Sequence, residues 1–246
     1  MLTRAQNKHI RSLTQQKFRN EYKEFIAEGE KIAAEWLKTN EPIKMILATE
    51  EWADFNSRLI ERHPEAQVHI LKARGFASLT AMQSPNGVIL VLPIPQPREV
   101  PVSNEWYLAL DDIQDPGNMG TILRIADWFG IKHVVCSPSS VDVYNPKVVQ
   151  SAMGAHLRTC IYESDLESFL SATTLPKYAA TLDGENVYNM QRQDAGILII
   201  GNESRGISEI IKSLATKKIT IPRKGGAESL NAGVSTGIMC ALLLPC

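Results

Sequence analysis

Residues 98–246 predict an α/β fold built on a mainly parallel sheet, and residues 1–97 predict a smaller α/β domain ahead of it. Three observations carry this. Five short runs in the second part are apolar on successive residues, as strands buried on both faces are: WYLALD (106–111), HVVCS (133–137), YAATL (178–182), GILIIG (196–201) and KITIP (218–222). Helix-length segments alternate with them, the order that covers a parallel sheet on both sides. Prolines at 93, 95, 97 and 101 interrupt the chain between the two parts, removing backbone donors and favouring an extended linker.

In the first part, EYKEFIAEGEKIAAEWLK places Phe25, Ile32, Trp36 and Leu37 on a helical period. IKMILAT (43–49), QVHIL (67–71) and PNGVILVL (85–92) predict strands, and EWADFNSRLIERH predicts a helix between the first two. In the second part, NMGTILRIADWF predicts a helix stopped by Gly130. NPKVVQSAM opens with Asn145 as a cap and Pro146 at the first helical position. SDLESFLSA, SEIIKSL (capped by Ser208) and AGVSTGIMCALLL complete the helices.

A hydrophobic fraction of 44% against 22% charged excludes a disordered chain. The four cysteines, at 136, 160, 240 and 246, form no CxxC pair, so they predict free thiols in a reducing, cytoplasmic compartment. No apolar run approaches the roughly 18–20 residues of a bilayer span, and the charged start MLTRAQNKHIRSL is unlike a secretory signal. Histidines 9, 63 and 69 share no ligand spacing, and no metal is expected. His133 and His156 are too far apart in sequence to predict a histidine hydrolase. The net charge of −1 does not by itself point to nucleic acid. Residues 1–20 nevertheless carry Arg4, Lys8, Arg11, Lys17 and Arg19 with no acid, which fits either an arm on phosphates or a solvated helix surface.

Three strand-end loops carry the chemical signal. LDDIQDPGNMGTILRIAD (110–127) turns through Pro116 and Gly117 into a helix whose start offers unpaired N–H groups, with Arg124 further along. Arg124 either pairs with Asp111 or Asp112 or faces a phosphate or reacting hydroxyl. GILIIGNESRGIS (196–208) holds Glu203 and Arg205 between two glycines, either pairing with each other or forming part of a site. ITIPRKGGAESLNAGVSTGIMCALL (219–243) combines a basic glycine turn with a helix rich in small residues, against which something must pack closely. None of these is a dinucleotide fingerprint or a Walker A loop.

Together the loops resemble the three motifs of the SpoU (TrmH-like) branch of the SPOUT RNA methyltransferases. DDIQDPGNMGTILRIAD resembles DxxxDPxNxGxxxRTA, GNESRGIS resembles GNExxGxS, and IPRKGGAESLNAGVSTGI resembles IPMxGxxESLNVSVAxAI. VYNPKVVQSAMGAHLR is similar to the family's NPKxVRxSxGA segment, and EYKEFIAEGEKIAAEWL is similar to the ribosomal-protein-L30e-like substrate domain that precedes it. Gln150, Arg223 and Gly233 depart from the pattern, which more often has arginine, methionine and serine there.

The resemblance implies an L30e-like RNA-binding domain over 1–97 and a methyltransferase domain over 98–246 whose sheet carries a deep trefoil knot. It implies S-adenosylmethionine as cofactor, held against Leu182, Gly184, Ile200, Gly201, Ile221 and Leu230. The implied reaction is methyl transfer to a ribose 2′-hydroxyl of rRNA or tRNA by a homodimer, with no membrane and no metal. The alternative is an RNA-binding protein on the same scaffold that turns over weakly or not at all. Asn118, Arg124, Glu203, Ser229 and Asn231 are the implied catalytic residues. Family practice makes Arg124 the base. A charged guanidinium has no lone pair to spare, so steadying the alkoxide or a neighbouring phosphate is the other role open to it.

Overall fold

A computed structural model describes residues 2–79 and 87–245, and the chain divides into two compact units. Unit 1 comprises Met1–Gln96 together with Tyr144–Gly154, and unit 2 comprises Pro97–Val143 and Ala155–Cys246. The segment Tyr144–Gly154, read from sequence as part of 98–246, therefore clusters with the first unit.

Unit 1 begins with two short helices, α1 (Arg4–Ser12) and α2 (Gln16–Tyr22), followed by β1 (Glu24–Glu28) and α3 (Glu30–Leu37). Then come β2 (Met45–Thr49), α4 (Glu50–Phe55), α5 (Ser57–Ile60), β3 (Gln67–Leu71), α6 (Ala73–Ala77) and β4 (Val88–Pro93). The strands form one sheet in the order β1-β4-β2-β3, antiparallel except for the parallel β2–β3 pair. Ile10 and Leu13 of the amino-terminal helices meet Phe76, Leu79 and the sheet residues Ile26, Leu47 and Ile89 in one core.

Two expectations change here. The helix read over 21–38 is a strand followed by a helix. Lys23 in the left-handed region ends α2, Phe25, Ile26 and Ala27 are all buried along β1, and Gly29 at φ 112° makes the turn into α3. EWADFNSRLIERH is two short helices broken at Asn56, whose side-chain amide donates to the Trp52 carbonyl. Of PNGVILVL, positions 85 and 86 lie outside the described residues, as does Cys246.

Unit 2 begins with β5 (Trp106–Asp111), α7 (Pro116–Trp128) and β6 (His133–Cys136). The chain then forms α8 (Pro146–Ala152), which packs on β1 within unit 1. It continues as β7 (Cys160–Glu163), α9 (Leu166–Ala172), β8 (Lys177–Asn186), β9 (Gly196–Gly201), α10 (Glu209–Ser213), β10 (Lys217–Thr220) and α11 (Ala232–Leu243). Six parallel strands lie in the order β10-β8-β9-β5-β6-β7. Sequence reading missed β7, because CIYE is short and half polar.

The central strands β5 and β9 are buried at every residue, which explains their unbroken apolar runs. On one face Tyr107, Ala109, Ile197 and Ile199 pack against Leu166 and Leu170 of α9 and Ile207 and Ile211 beside α10. On the other face α7 and α11 lie against β6 and β9 and against each other. Each aliphatic side chain so buried contributes roughly 1.5–3 kcal/mol. Because all six strands are parallel, the loops after β10, β8, β9 and β5 emerge side by side at one edge.

Candidate active site

Helix α7 begins two residues ahead of its expected start at Asn118, because Pro116 and Gly117, read as the turn, are its first residues. Asp115 caps it, its carboxylate accepting the Asn118 N–H at 2.8 Å, Pro116 takes the first position, and Gly130 at φ 71° follows its end. This start points Asn118 inward, where it is buried, toward the loops after β9 and β10.

There a chain of hydrogen bonds joins all three motif loops. The Asn118 side-chain N–H donates to Glu203 Oε1 at 2.8 Å, and the Asn231 side-chain N–H donates to Asn118 Oδ1 at 2.6 Å. Asn231 also caps α11, its Oδ1 accepting the Val234 N–H at 3.2 Å. The polarity is fixed from one end. An ionised carboxylate only accepts, so Asn118 must turn its NH₂ to Glu203 and its carbonyl to Asn231. Glu203 accepts two further N–H groups, from Gln114 at 3.3 Å and Asp115 at 3.2 Å, at the amino end of α7 where a negative charge is favoured.

A second set of bonds shapes the loop after β9. Asp112, at φ 61°, accepts the Asn202 side-chain N–H on its carbonyl at 2.8 Å and on its carboxylate at 3.1 Å, and it also pairs with Arg205. Asn202 Oδ1 in turn accepts the Ser204 and Arg205 N–H groups at 2.9 and 3.0 Å. Asp111 accepts the Ser208 N–H at 2.7 Å, tying the start of α10 to the end of β5. Sequence reading did not single out Asp112, Asn202 or Asp115 as site builders. The signal was the acid run DDIQD: Asp111 and Asp115 anchor backbone N–H groups, and Asp112 holds the Asn202 and Arg205 side chains.

These contacts correct two bland expectations. Glu203 and Arg205 do not pair across their turn, because Glu203 faces α7 and Arg205 faces Asp112. Arg124 is not bonded to Asp111 or Asp112. It is exposed on α7 with Thr121 and Trp128, and it makes no hydrogen bond or ion pair among the described residues. Thus Asn118, Glu203 and Asn231 are brought into direct contact, whereas Arg124 and Ser229 stand apart from them. Ser229 sits in the exposed segment 221–230, which is in neither helix nor strand.

The six residues expected to hold the cofactor fall at the carboxyl ends of three neighbouring strands. Lys218 pairs with Ala179 but Ile219 pairs with Glu185, so residues 180–184, including Leu182 and Gly184, swing out between these registers. Ile200 and Gly201 end β9, and Ile221 and Leu230 bracket the loop after β10. A Cβ on Gly184 would lie 2.4 Å from the Ile219 nitrogen, and one on Gly201 would lie 2.3 Å from the Gly206 carbonyl carbon. Both glycines are demanded by main chain passing over main chain. Leu182 and Leu230 remain 77% and 48% exposed at this edge. Exposed aliphatic surface beside close-passing main chain suits a ligand with both apolar and hydrogen-bonding groups.

The small residues of α11 have their explanation in α7. A Cβ on Gly233 would come within 2.7 Å of Thr121 Cγ2, and one on Gly237 would touch Ile125. Arg223 braces its loop through a 3.1 Å bond to the Ala227 carbonyl. The histidines are structural. His133 opens β6 at the opposite edge, bonded to Glu105 at 2.9 Å and Tyr162 at 3.2 Å. Burial pulls His156 below the usual histidine range, and its Nε2 lies 2.8 Å from the Val143 carbonyl. Among the described residues no three metal-ligating side chains gather, and no helix is long and apolar enough to cross a membrane.

Comparison with known proteins identifies relatives of both parts of the chain. A model of an MRM3-like substrate binding domain matches residues 5–90. The chain is 28% identical over 239 residues to the 23S rRNA (guanosine(2553)-2'-O)-methyltransferase RlmP of Bacillus subtilis, covering 94% of this chain and 93% of that protein. A TrmH-family RNA methyltransferase structure from Porphyromonas gingivalis superposes with a TM-score of 0.87 at 34% identity, covering 99% and 98% of the two chains. An AdoMet-bound rRNA methyltransferase from Sinorhizobium meliloti superposes with a TM-score of 0.85 at 28% identity, covering 98% and 94%. A model of the SpoU rRNA methylase family matches residues 105–241, more than half of the chain, and the protein belongs to that family.

Proposed function

We propose that this protein transfers a methyl group from S-adenosylmethionine to a ribose 2′-hydroxyl of structured RNA, working as a homodimer. The observation that carries the reading is the Asn118–Glu203–Asn231 chain, which gathers the three motif loops at one end of neighbouring parallel strands. When bound, the cofactor supplies an electrophilic methyl group on a sulfonium that leaves as a neutral thioether.

The protein's part is placement, which alone lowers a transfer barrier by several kcal/mol. Leu182, Ile221 and Leu230 would flank the adenosyl group, and Gly184, Ile200 and Gly201 would bring main chain close to it. Glu203 and Asn118 lock the start of α7 to the loop after β9, and Asn231 fixes the loop after β10 to both. Ser229 is exposed beside Leu230, and we assign it to contact with RNA. Arg124 carries five donors and no acceptor, so we assign it to the developing alkoxide or the adjacent phosphate rather than to proton removal, and the hydroxyl proton is released to solvent water. Its freedom from ion pairs leaves those donors available.

Two features support the dimer. Trp128 on α7 is 84% exposed and Val234 on α11 is 50% exposed, although the two helices pack together. Exposed apolar side chains on adjoining helices mark a contact surface. Arg124 lies one turn before Trp128, so a second copy seated there brings Arg124 into the interface. We assign a cytoplasmic location, with which the free thiols of Cys136, Cys160 and Cys240 are in keeping.

The test is incubation of total RNA with methyl-labelled cofactor, digestion to nucleosides and identification of the labelled product. Label in 2′-O-methyl nucleosides, lost in Arg124→Ala, supports the reading. Cofactor binding without labelled RNA favours a binding protein that does not turn over.

A further inference from the structure

We infer that unit 1 grips the RNA backbone along the exposed face of α1 and the groove between α1 and α2, and not in its larger groove beside α3 and α4. This rests on the proposed action on RNA and deepens it by assigning the phosphate-tracking surface.

Arg4, Lys8 and Arg11 recur at i, i+4 and i+7 and therefore share one face of α1. All three are exposed, and none makes an ion pair or side-chain hydrogen bond among the described residues. Their backbone spans about 10 Å of helix axis, the length of roughly three nucleotides at the rise of a stacked strand. Two adjoining depressions run along this face, of about 420 and 370 Å³, and both are lined by Lys8 and Arg11. Phe18, stacked on Tyr22 with its ring 5.8 Å from the Lys17 ammonium, lines the larger of the two. A cationic groove with an aromatic wall is the arrangement that tracks a phosphodiester chain and stacks a base.

The stripe is also rigid. The Thr3–Gln6 capping box closes the first turn of α1, and Ile10 and Leu13 are fully buried beneath it. His9 Nε2 lies 2.6 Å from a Glu24 carboxylate oxygen on β1, so the helix is pinned to the sheet. Binding to a preformed surface avoids the ordering cost of a loose basic arm.

The competing surface has the wrong charge. A groove of unit 1, about 960 Å³, is lined by Glu30, Glu51 and Asp54 against Lys31 among the described residues. Among these residues that is three carboxylates to one ammonium, a balance that disfavours a polyanion.

The experiment is a salt titration of binding to a fluorescein-labelled RNA hairpin. It compares the wild type, the triple variant Arg4→Gln/Lys8→Gln/Arg11→Gln, and a control with equal charge loss, Lys31→Gln/Arg58→Gln/Arg62→Gln. The triple variant is expected to bind at least tenfold more weakly at about 0.1 M salt, with the slope of log K against log salt shallower by about 2–3. The control is expected to stay near wild type, and Arg4→Lys/Arg11→Lys to keep the wild-type slope. A triple variant that binds with wild-type affinity and slope, while the wild type methylates RNA, overturns this assignment alone. A control that loses as much as the triple variant also overturns it. A wild type that binds cofactor but no RNA overturns both it and the function on which it rests.

Discussion

Asn231 donates its side-chain amide to Asn118 Oδ1 at 2.6 Å, joining residues 113 positions apart in the sequence. The same Asn118 donates to Glu203, so one buried side chain holds two loops at once. Removing it breaks both links, although Glu203 keeps its bonds to the Gln114 and Asp115 N–H groups and Asn231 keeps its bond to the Val234 N–H. A buried hydrogen bond left unmade costs about 1–3 kcal/mol, more where one partner is charged, and here that cost falls on the geometry of the site.

Asn118→Asp keeps the shape and changes the charge. It sets a second carboxylate against Glu203, and like charges at hydrogen-bond distance force one of them to take up a proton. The folded variant then binds more protons than its unfolded chain, so its stability deficit shrinks as pH falls. Thermal melts of Asn118→Asp are expected to approach wild type on acidification, whereas Asn118→Ala keeps its deficit. Parallel pH profiles for the two variants would count against the pairing.

Arg124 is exposed and unpartnered among the described residues, so removing it leaves the fold alone. Arg124→Ala is expected to melt within about 0.5 kcal/mol of wild type. Methyl transfer at saturating cofactor is expected to fall about 10²–10³-fold, the loss typical of a donor to a developing oxyanion. Arg124→Lys keeps the charge but not the fork and should recover only part of the rate. An Arg124→Ala enzyme of full activity would remove Arg124 from the chemistry.

Gly233 is matched to Thr121. In a helix an added methyl group would ordinarily stabilise by up to about 1 kcal/mol, but here it would lie 2.7 Å from Thr121 Cγ2. Gly233→Ala is therefore expected to destabilise by about 1–2 kcal/mol. The cost should shrink in a Thr121→Ala background, which removes the clashing carbon. Denaturant melts of the two single variants and the double variant measure the coupling.

Trp128 tests the dimer. Sedimentation velocity is expected to give a dimer for the wild type and a shift toward monomer for Trp128→Glu. A charge buried without a partner at an interface core costs several kcal/mol. A wild type that sediments only as monomer refutes the assembly.

Much of this architecture was legible in the sequence, for identifiable reasons. Strands β5 and β9 are buried on both faces, so they read as unbroken apolar runs; α8 has its cap at Asn145 and its proline at Pro146 as its sequence assigns them, and α7 is followed by its stop at Gly130. Phe25 misled because one helical register fits both it and Trp36, although Gly29 splits them between a strand and a helix. At the site, residue types and loop positions were readable but pairings were not. Local spacing suggested Glu203 with Arg205, whereas Glu203 bonds across 85 residues to Asn118 and Arg205 pairs with Asp112 across 93. Asp112 carried its own hint, a second acid at a strand end, but its left-handed backbone and its hold on Asn202 exist only in the fold.

The most direct test is a double-mutant cycle on methyl transfer, with Asn118→Ala, Asn231→Ala and the pair combined, read as kcat/KM for RNA. If one amide chain sets the geometry of all three loops, either single change breaks it. Each should cost about 10–150-fold, the rate equivalent of about 1.5–3 kcal/mol, and the double variant should be little worse than the poorer single. Losses that multiply would mean that the two asparagines act independently, and that the loops do not work as one site.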